Sequence, residues 1–416
     1  MDTLIINIGL LVNTRKNNNL LRGEQLSYLP CIKDAYLHVK NDIIFAYGSM
    51  KELSTINSPL STINANGAYV LPCWCDSHTH LVFAASREEE FVDKIKGLSY
   101  ADIAAKGGGI LNSANKLNAM SVEELFKLAL KRLNEIIQLG TGAVEIKSGY
   151  GLNVEGELKM LRVIQRLKQR SPIKIKSTFL GAHAYALEFK SNHEAYIKLI
   201  VDEMLPNIAK ENLADYIDVF CEQEFFSLDE MKRVCEAGIK YGLKPKLHVN
   251  QLNSIGGIEA AIKLNALSVD HLETMTENDI EKLSASKTIA TLLPTAAYFL
   301  RMNYPPARKL IDANCAVALA SDFNPGSSPS GNMNNVVSMS CIQMRMLPEE
   351  AINAATINGA YAMELQDEVG SIMTGKKANL IFTKPISSLA YLPYAFGSNL
   401  VDKVMIDGEF VGGEIY

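Results

Sequence analysis

From about residue 70 to residue 345 the hydrophobic pattern alternates between two textures. Short apolar or β-branched runs end in a polar or charged residue, and each gives way to a longer stretch in which apolar residues recur at helical spacing. The runs are 69–75, 143–147, 173–180, 217–221, 245–249, 267–270, 288–293 and 316–320. Continuous apolar runs, as opposed to alternating ones, predict strands buried on both faces. The helical stretches carry their own end signals. Ser121-Val122-Glu123-Glu124 is a capping box, followed by an apolar stripe of Val122, Leu125, Phe126, Ala129, Leu133, Ile136 and Ile137 and by Gly140 as a left-handed stop. Ser227-Leu228-Asp229-Glu230 repeats the device, with Gly242 at the far end. Strand–helix repeats of this length imply parallel strands with right-handed crossovers. Eight of them predict an α/β fold built on a closed (β/α)8 TIM-like barrel; an open doubly wound sheet uses the same local pattern and stays open on count alone.

The flanks read differently. Residues 4–12, 36–39 and 43–47, and again 378–383 and 401–406, are strand-like pieces divided by polar turns, with Asp407-Gly408 as a turn signal before Phe410. Neither flank is large enough for a good core alone. Both ends are therefore expected to meet in one small β-sandwich domain, 1–66 with 367–416, beside a barrel of 67–366.

Composition narrows the function classes. With 416 residues, 48% of them hydrophobic and 21% charged, the chain can bury a sizeable core and disorder is excluded. A net charge of −5 argues against a nucleic-acid partner, whose phosphates call for a clustered basic surface. No apolar run reaches the ~18 residues that cross a bilayer, and the start at Met1-Asp2 carries no basic leader, so no membrane partner and a cytoplasmic location are expected. The seven cysteines are odd in number and scattered, which fits small buried thiols in a reducing compartment better than a disulfide framework.

The candidate chemistry sits at the ends of the runs. In Asp76-Ser77-His78-Thr79-His80, residues two apart on a strand point to the same side, so His78 and His80 can bite one cation. His183, His248 and His271 follow or close the third, fifth and sixth runs, and Asp322 follows the eighth. Five of the seven histidines thus fall where the loops of a barrel build active sites, whereas His38 and His193 do not. Three imidazoles and one carboxylate with a place left for water describe a catalytic centre, at which a carboxylate such as Asp322 can take a proton from the nucleophile and hand it to a leaving nitrogen. That chemistry is metal-assisted hydrolysis of a C–N bond.

These motifs, with Gly107-Gly108-Gly109-Ile110, Glu145-Ile146-Lys147-Ser148-Gly149-Tyr150-Gly151, the stretch from Thr178 to His183, Asp270-His271-Leu272-Glu273 and Ser321-Asp322-Phe323-Asn324-Pro325-Gly326, resemble the imidazolonepropionase family of the amidohydrolase superfamily. The resemblance implies a hydrolase acting on the ring C–N bond of 4-imidazolone-5-propanoate, giving N-formimidoyl-L-glutamate in histidine degradation. It implies one Zn2+ or Fe3+ ion per subunit, held by His78, His80, His248 and Asp322, with Asp322 and His271 as the catalytic pair, and a homodimer. It further implies that Arg87 binds the propanoate, which a guanidinium fork suits, and that Tyr150, His183 and Gln251 face the ring. Gln251 falls where some members carry glutamate and cannot serve as a base, so the proton shuttle goes to Asp322 with His271 in support. Asn324, Gly326 and Ser327 lie on the loop after the eighth run, where amides and short side chains can bind ring or product. The fourth run ends at Phe220-Cys221-Glu222-Gln223 with no lysine, which favours a single ion; a bridging role for Cys221 or Glu222 stays open. Gly107-Gly108-Gly109 lacks a P-loop lysine and reads as a loop over the site mouth. The rivals are a purine or pyrimidine deaminase with the same metal ring, whose substrates lack the carboxylate, and a non-catalytic scaffold.

Overall fold

The computed structural model describes residues 2–55, 61–98, 102 and 108–412. The N-terminal flank contributes β1 (Asp2–Val12), β2 (Cys31–Lys40), β3 (Ile43–Ser49), β4 (Ser61–Asn64) and β5 (Tyr69–Pro72). Eight barrel strands follow: β6 (Trp74–Thr79), β7 (Thr141–Lys147), β8 (Lys174–Ala182), β9 (Tyr216–Cys221), β10 (Lys244–Val249), β11 (Ser268–His271), β12 (Ile289–Leu292) and β13 (Val317–Leu319). The C-terminal flank adds β14 (Leu380–Thr383), β15 (Val401–Ile406) and β16 (Glu409–Phe410).

Each barrel strand pairs in parallel with its chain neighbour, in the order β6 to β13. The ring closes just past the strand ends, where His80 N donates to Phe323 O at 2.9 Å and Asp322 N donates to His78 O at 3.0 Å. This decides between barrel and open sheet, and the seam falls at the motif that carries two histidines. The helix Val122–Gln138 begins at the expected capping box, with the Ser121 hydroxyl accepting from Glu124 N, and buries every stripe residue except its first, Val122. Leu228–Lys240 starts the same way at Ser227.

Both flanks pair in one sheet, ordered β16-β15-β14-β5-β1-β2-β3 with β4 beside β1. Its core gathers Ile5, Ile8, Leu37, Val70, Leu380 and Met405. The run 69–75, read as one strand, is two. Tyr69–Pro72 pairs with β1 and β14, then Cys73 N donates to Asn379 O and Trp74 N to Gly140 O as the chain crosses from one sheet to the other. Both halves are buried, so hydrophobicity alone does not reveal the switch. The crossing is tight enough that a Cβ on Gly142 would lie 2.4 Å from that of Cys73. The turn at Asp407-Gly408 has both residues at positive φ (49° and 79°), the hairpin geometry that Asp-Gly favours. Among the described residues, no helix is long and apolar enough to cross a membrane.

Candidate metal centre

At the carboxyl ends of β6, β10 and β13 four side chains converge. His78 Nε2 and His80 Nε2 each lie 3.5 Å from Asp322 Oδ1, and the Nε2 atoms of His80 and His248 are 3.3 Å apart. All four side chains are buried. The tautomers follow from what sits behind the rings. His78 Nδ1 meets Asp270 Oδ2 at 2.7 Å, and His248 Nδ1 meets Asp218 Oδ2 at 2.8 Å. A carboxylate accepts, so each Nδ1 carries the proton and each Nε2 turns a lone pair inward. The Nε2 of His78 is buried and has no hydrogen-bond partner. Burial, reinforced by surrounding positive groups, holds these three histidines well below the usual imidazole range, in the neutral form that a ligand needs. Facing lone pairs with a carboxylate oxygen beside them fit a cation. Among the described residues, His78, His80 and Asp322 form one group able to hold a metal ion, and His78, His248 and His271 an overlapping one.

His271 has a different setting. Burial disfavours its charged form, but Glu273 at 3.3 Å, joined by Asp322 and Asp270, more than compensates, and its pKa rises to about 9. Burial pushes the Asp322 carboxyl up to about 6, against the pull of His271, Ser327 and Asn324. Both residues sit at positive φ, 85° for His271 and 52° for Asp322, a conformation uncommon outside glycine and concentrated at functional sites.

Above these groups opens a cavity of about 710 Å³ whose wall includes Arg87, Tyr150, His183, Gln251, Asn324 and Ser327. Gly326 also lines it, and a Cβ there would sit 2.2 Å from Arg87 Nη1, so the guanidinium occupies the space that the glycine leaves. Arg87 Nε donates to Glu90 Oε2 at 3.0 Å, and Glu90 Oε1 accepts from Gly109 N, anchoring the edge of the glycine stretch; Gly107 itself lies outside the described residues. His183 stacks on His80 with ring centroids 5.3 Å apart and donates Nδ1 to Gly149 O, leaving Nε2 for the cavity. Asn324 uses its side chain on its own loop: Oδ1 accepts from Gly326 N and Ser327 N, and Nδ2 donates to Asp322 O.

Two buried carboxylates, Glu157, which the sequence did not single out, and Glu222, expected only as a candidate bridging ligand, hold the loops that present these groups. Glu157 accepts from Gly149 N, Gly151 N and Leu152 N at 3.0, 2.8 and 3.0 Å, fixing the turn that carries Tyr150. Glu222 accepts from Gln251 N, Leu252 N and Asn253 N at 2.6, 3.0 and 2.9 Å. Its oxygens face that loop, so the bridging-ligand reading for Glu222 gives way to a loop-holding one. Cys221 belongs to neither metal-capable group.

The match to the model of the amidohydrolase family spans residues 69–411. The imidazolonepropionase of Flavobacterium johnsoniae is 58% identical over 99% of this chain and 100% of its own length, and that of Flavobacterium psychrophilum is 56% identical over the same shares. The chain belongs to the imidazolonepropionase branch of the amidohydrolases. Among solved structures, guanine deaminase of E. coli superposes with a TM-score of 0.75 at 13% identity over 99% of each chain, a likeness of fold. Family membership and the histidine–aspartate cluster together indicate a metal ion at this centre.

Proposed function

We propose that this protein opens the ring of 4-imidazolone-5-propanoate at its C–N (amide) bond, giving N-formimidoyl-L-glutamate, with one zinc or iron ion held by His78, His80, His248 and Asp322. The observation that carries this reading is the convergence of three inward-turned Nε2 atoms and Asp322 Oδ1 below a cavity walled by Arg87. Zn2+ or Fe3+, when bound, supplies Lewis acidity toward water and toward the ring carbonyl. The chain's own residues do the rest. Arg87, steadied by Glu90 and fitted against Gly326, takes the propanoate carboxylate. Tyr150, His183 and Gln251 line the space left for the ring, and burial keeps the Tyr150 phenol protonated as a hydrogen-bond donor. Asp322 accepts a proton from the attacking water as its oxygen bonds to the ring carbonyl carbon. It then delivers that proton to the ring nitrogen as the C–N bond breaks. His271, paired with Glu273, faces Asp322 as a cationic partner through this transfer.

The same reading gives the barrel body, 74–366, the chemistry and the chain-end body, which takes in Tyr69–Pro72 beyond the expected bound of 66, a supporting role. It places the enzyme in the cytoplasm without nucleic-acid or membrane partners. The helices Pro294–Leu300, Met333–Met344 and Tyr391–Tyr394 expose Tyr298, Ile342 and Tyr394, which supports a homodimer, and mass in solution tests it. Turnover of imidazolonepropanoate against guanine, by wild type and Arg87→Ala, tests the function. The reading expects the first substrate to be preferred and that preference to collapse in the variant; faster turnover of guanine by wild type would overturn it.

A further inference from the structure

Beneath the proposed ligands the barrel interior holds a sealed set of charges: Glu145 and Lys147 on β7, Asp218 on β9, Lys246 on β10 and Asp270 on β11, none with any solvent-exposed side chain. Lys147 Nζ donates to Glu145 Oε1 at 2.7 Å and lies 3.0 Å from Asp218 Oδ2 and 3.7 Å from Asp270 Oδ2. Those two oxygens are the same ones that meet His248 Nδ1 and His78 Nδ1. The remaining oxygens are also fixed, Asp218 Oδ1 by His248 N and Asp270 Oδ1 by the Ser268 hydroxyl. We infer that Lys147 is a positioning residue for the metal centre: one ammonium, reaching the backing carboxylates of two ligands from different strands, sets how tightly the site keeps its ion. The reason is electrostatic. Two carboxylates pressed against one point in a water-free interior repel each other, and repulsion is strong where no solvent screens it. The cation between them lets both stay in line with their imidazoles. Without it, the two drift apart and His78 and His248 lose their aim together.

The inference rests on the metal-centre reading, and the test keeps the two separable. Wild type, Lys147→Met, the charge-balanced pair Lys147→Met/Glu145→Gln, and Lys246→Met would each be loaded with Zn2+. Metal content and the rate of Zn2+ loss to a chelator would then be measured beside thermal melting. Lys246 is the comparison: it reaches Glu145 Oε2 at 3.2 Å, Ser268 Oγ at 2.9 Å and Ala362 O at 3.0 Å, and through Ser268 it supports Asp270, one of the two backing carboxylates, where Lys147 reaches both. Loss of a partner behind a ligand typically weakens metal binding 10- to 100-fold. Lys147→Met and the charge-balanced pair should therefore release Zn2+ at least about tenfold faster than wild type, while Lys246→Met, which leaves Asp218 and His248 supported, should release it more slowly than either. The inference falls if the charge-balanced pair releases Zn2+ at the wild-type rate, if Lys246→Met releases it as fast as Lys147→Met, or if the pair cannot fold. Wild type that takes up no stoichiometric ion would instead overturn the metal-centre reading itself.

Discussion

Gly326→Ala isolates the seat of Arg87 from everything else in the site. The added Cβ would stand 2.2 Å from Nη1 and 3.2 Å from Cζ of Arg87, where ordinary contact begins at 3.4 Å. The guanidinium must therefore withdraw by about 1.2 Å, and because it is the free end of a long side chain it can do so without disturbing the barrel. Gly326 is not among the positive-φ glycines, so alanine meets no backbone penalty and stability should stay within about 0.5 kcal/mol. What changes is the hold on the substrate carboxylate. Hydrogen bonds to charged groups are worth about 1.5–3 kcal/mol, so kcat/KM should fall roughly 10- to 150-fold. The loss should appear chiefly as a higher KM, because the propanoate is remote from the bond that breaks. The assay is the decay of imidazolonepropanoate absorbance, with a melting curve alongside. In an Arg87→Ala background the same substitution should do almost nothing, since its only target is gone. Wild-type KM in Gly326→Ala, or an undiminished effect without the arginine, would show that Gly326 does not seat Arg87 for the substrate.

Asp322→Asn keeps shape and removes the base: turnover should drop by about 10²–10⁴ with circular dichroism unchanged, and an active variant would remove Asp322 from the proton transfer. Glu222→Gln turns an amide nitrogen toward backbone N–H groups that now reach a carboxylate; it should cost about 1–3 kcal/mol of stability and raise KM through Gln251, and unchanged KM would separate that loop from substrate binding. Lys376 is buried among neutral acceptors, Asn18 Oδ1, Val369 O and Ser371 Oγ, and burial lowers its pKa from 10.5 to about 8. Between those two values the unfolded chain binds more proton than the folded one, so this lysine makes stability rise with pH, by at most about 1.4 kcal/mol per unit. Melting temperatures of wild type relative to Lys376→Met should climb from pH 8 to 10, and a constant gap would contradict the shift.

The hydrophobic runs revealed the eight barrel strands because a strand covered on both faces has to be apolar throughout, and the histidines at their ends marked the site because neutral imidazoles are costly to bury without partners. Other features left no such mark. The run 69–75 hides a change of sheet at Cys73, since either sheet demands the same buried residues. Glu157 reads as an ordinary polar residue beside a helix start, and Glu222 at a strand end as a candidate bridging ligand; only three-dimensional closure turns their carboxylates onto three backbone amides each. Asp218 and Asp270 occupy strand positions that their own sequence gives no reason to link with His248 and His78, because the pairing crosses from one strand to another. Asp270 comes nearest to being foreseen, lying beside His271 in a stretch already singled out. The positive φ of His271 and Asp322 is likewise a property of the closed ring and leaves no trace in composition.

On the reading proposed above, one ion sits where three Nε2 atoms and Asp322 Oδ1 meet. Diffraction from metal-loaded crystals, collected on either side of the absorption edge of the bound element, tests it most directly. A single anomalous peak per chain is expected, within coordination distance of His78, His80, His248 and Asp322. Two peaks, or one centred on other residues, would contradict it.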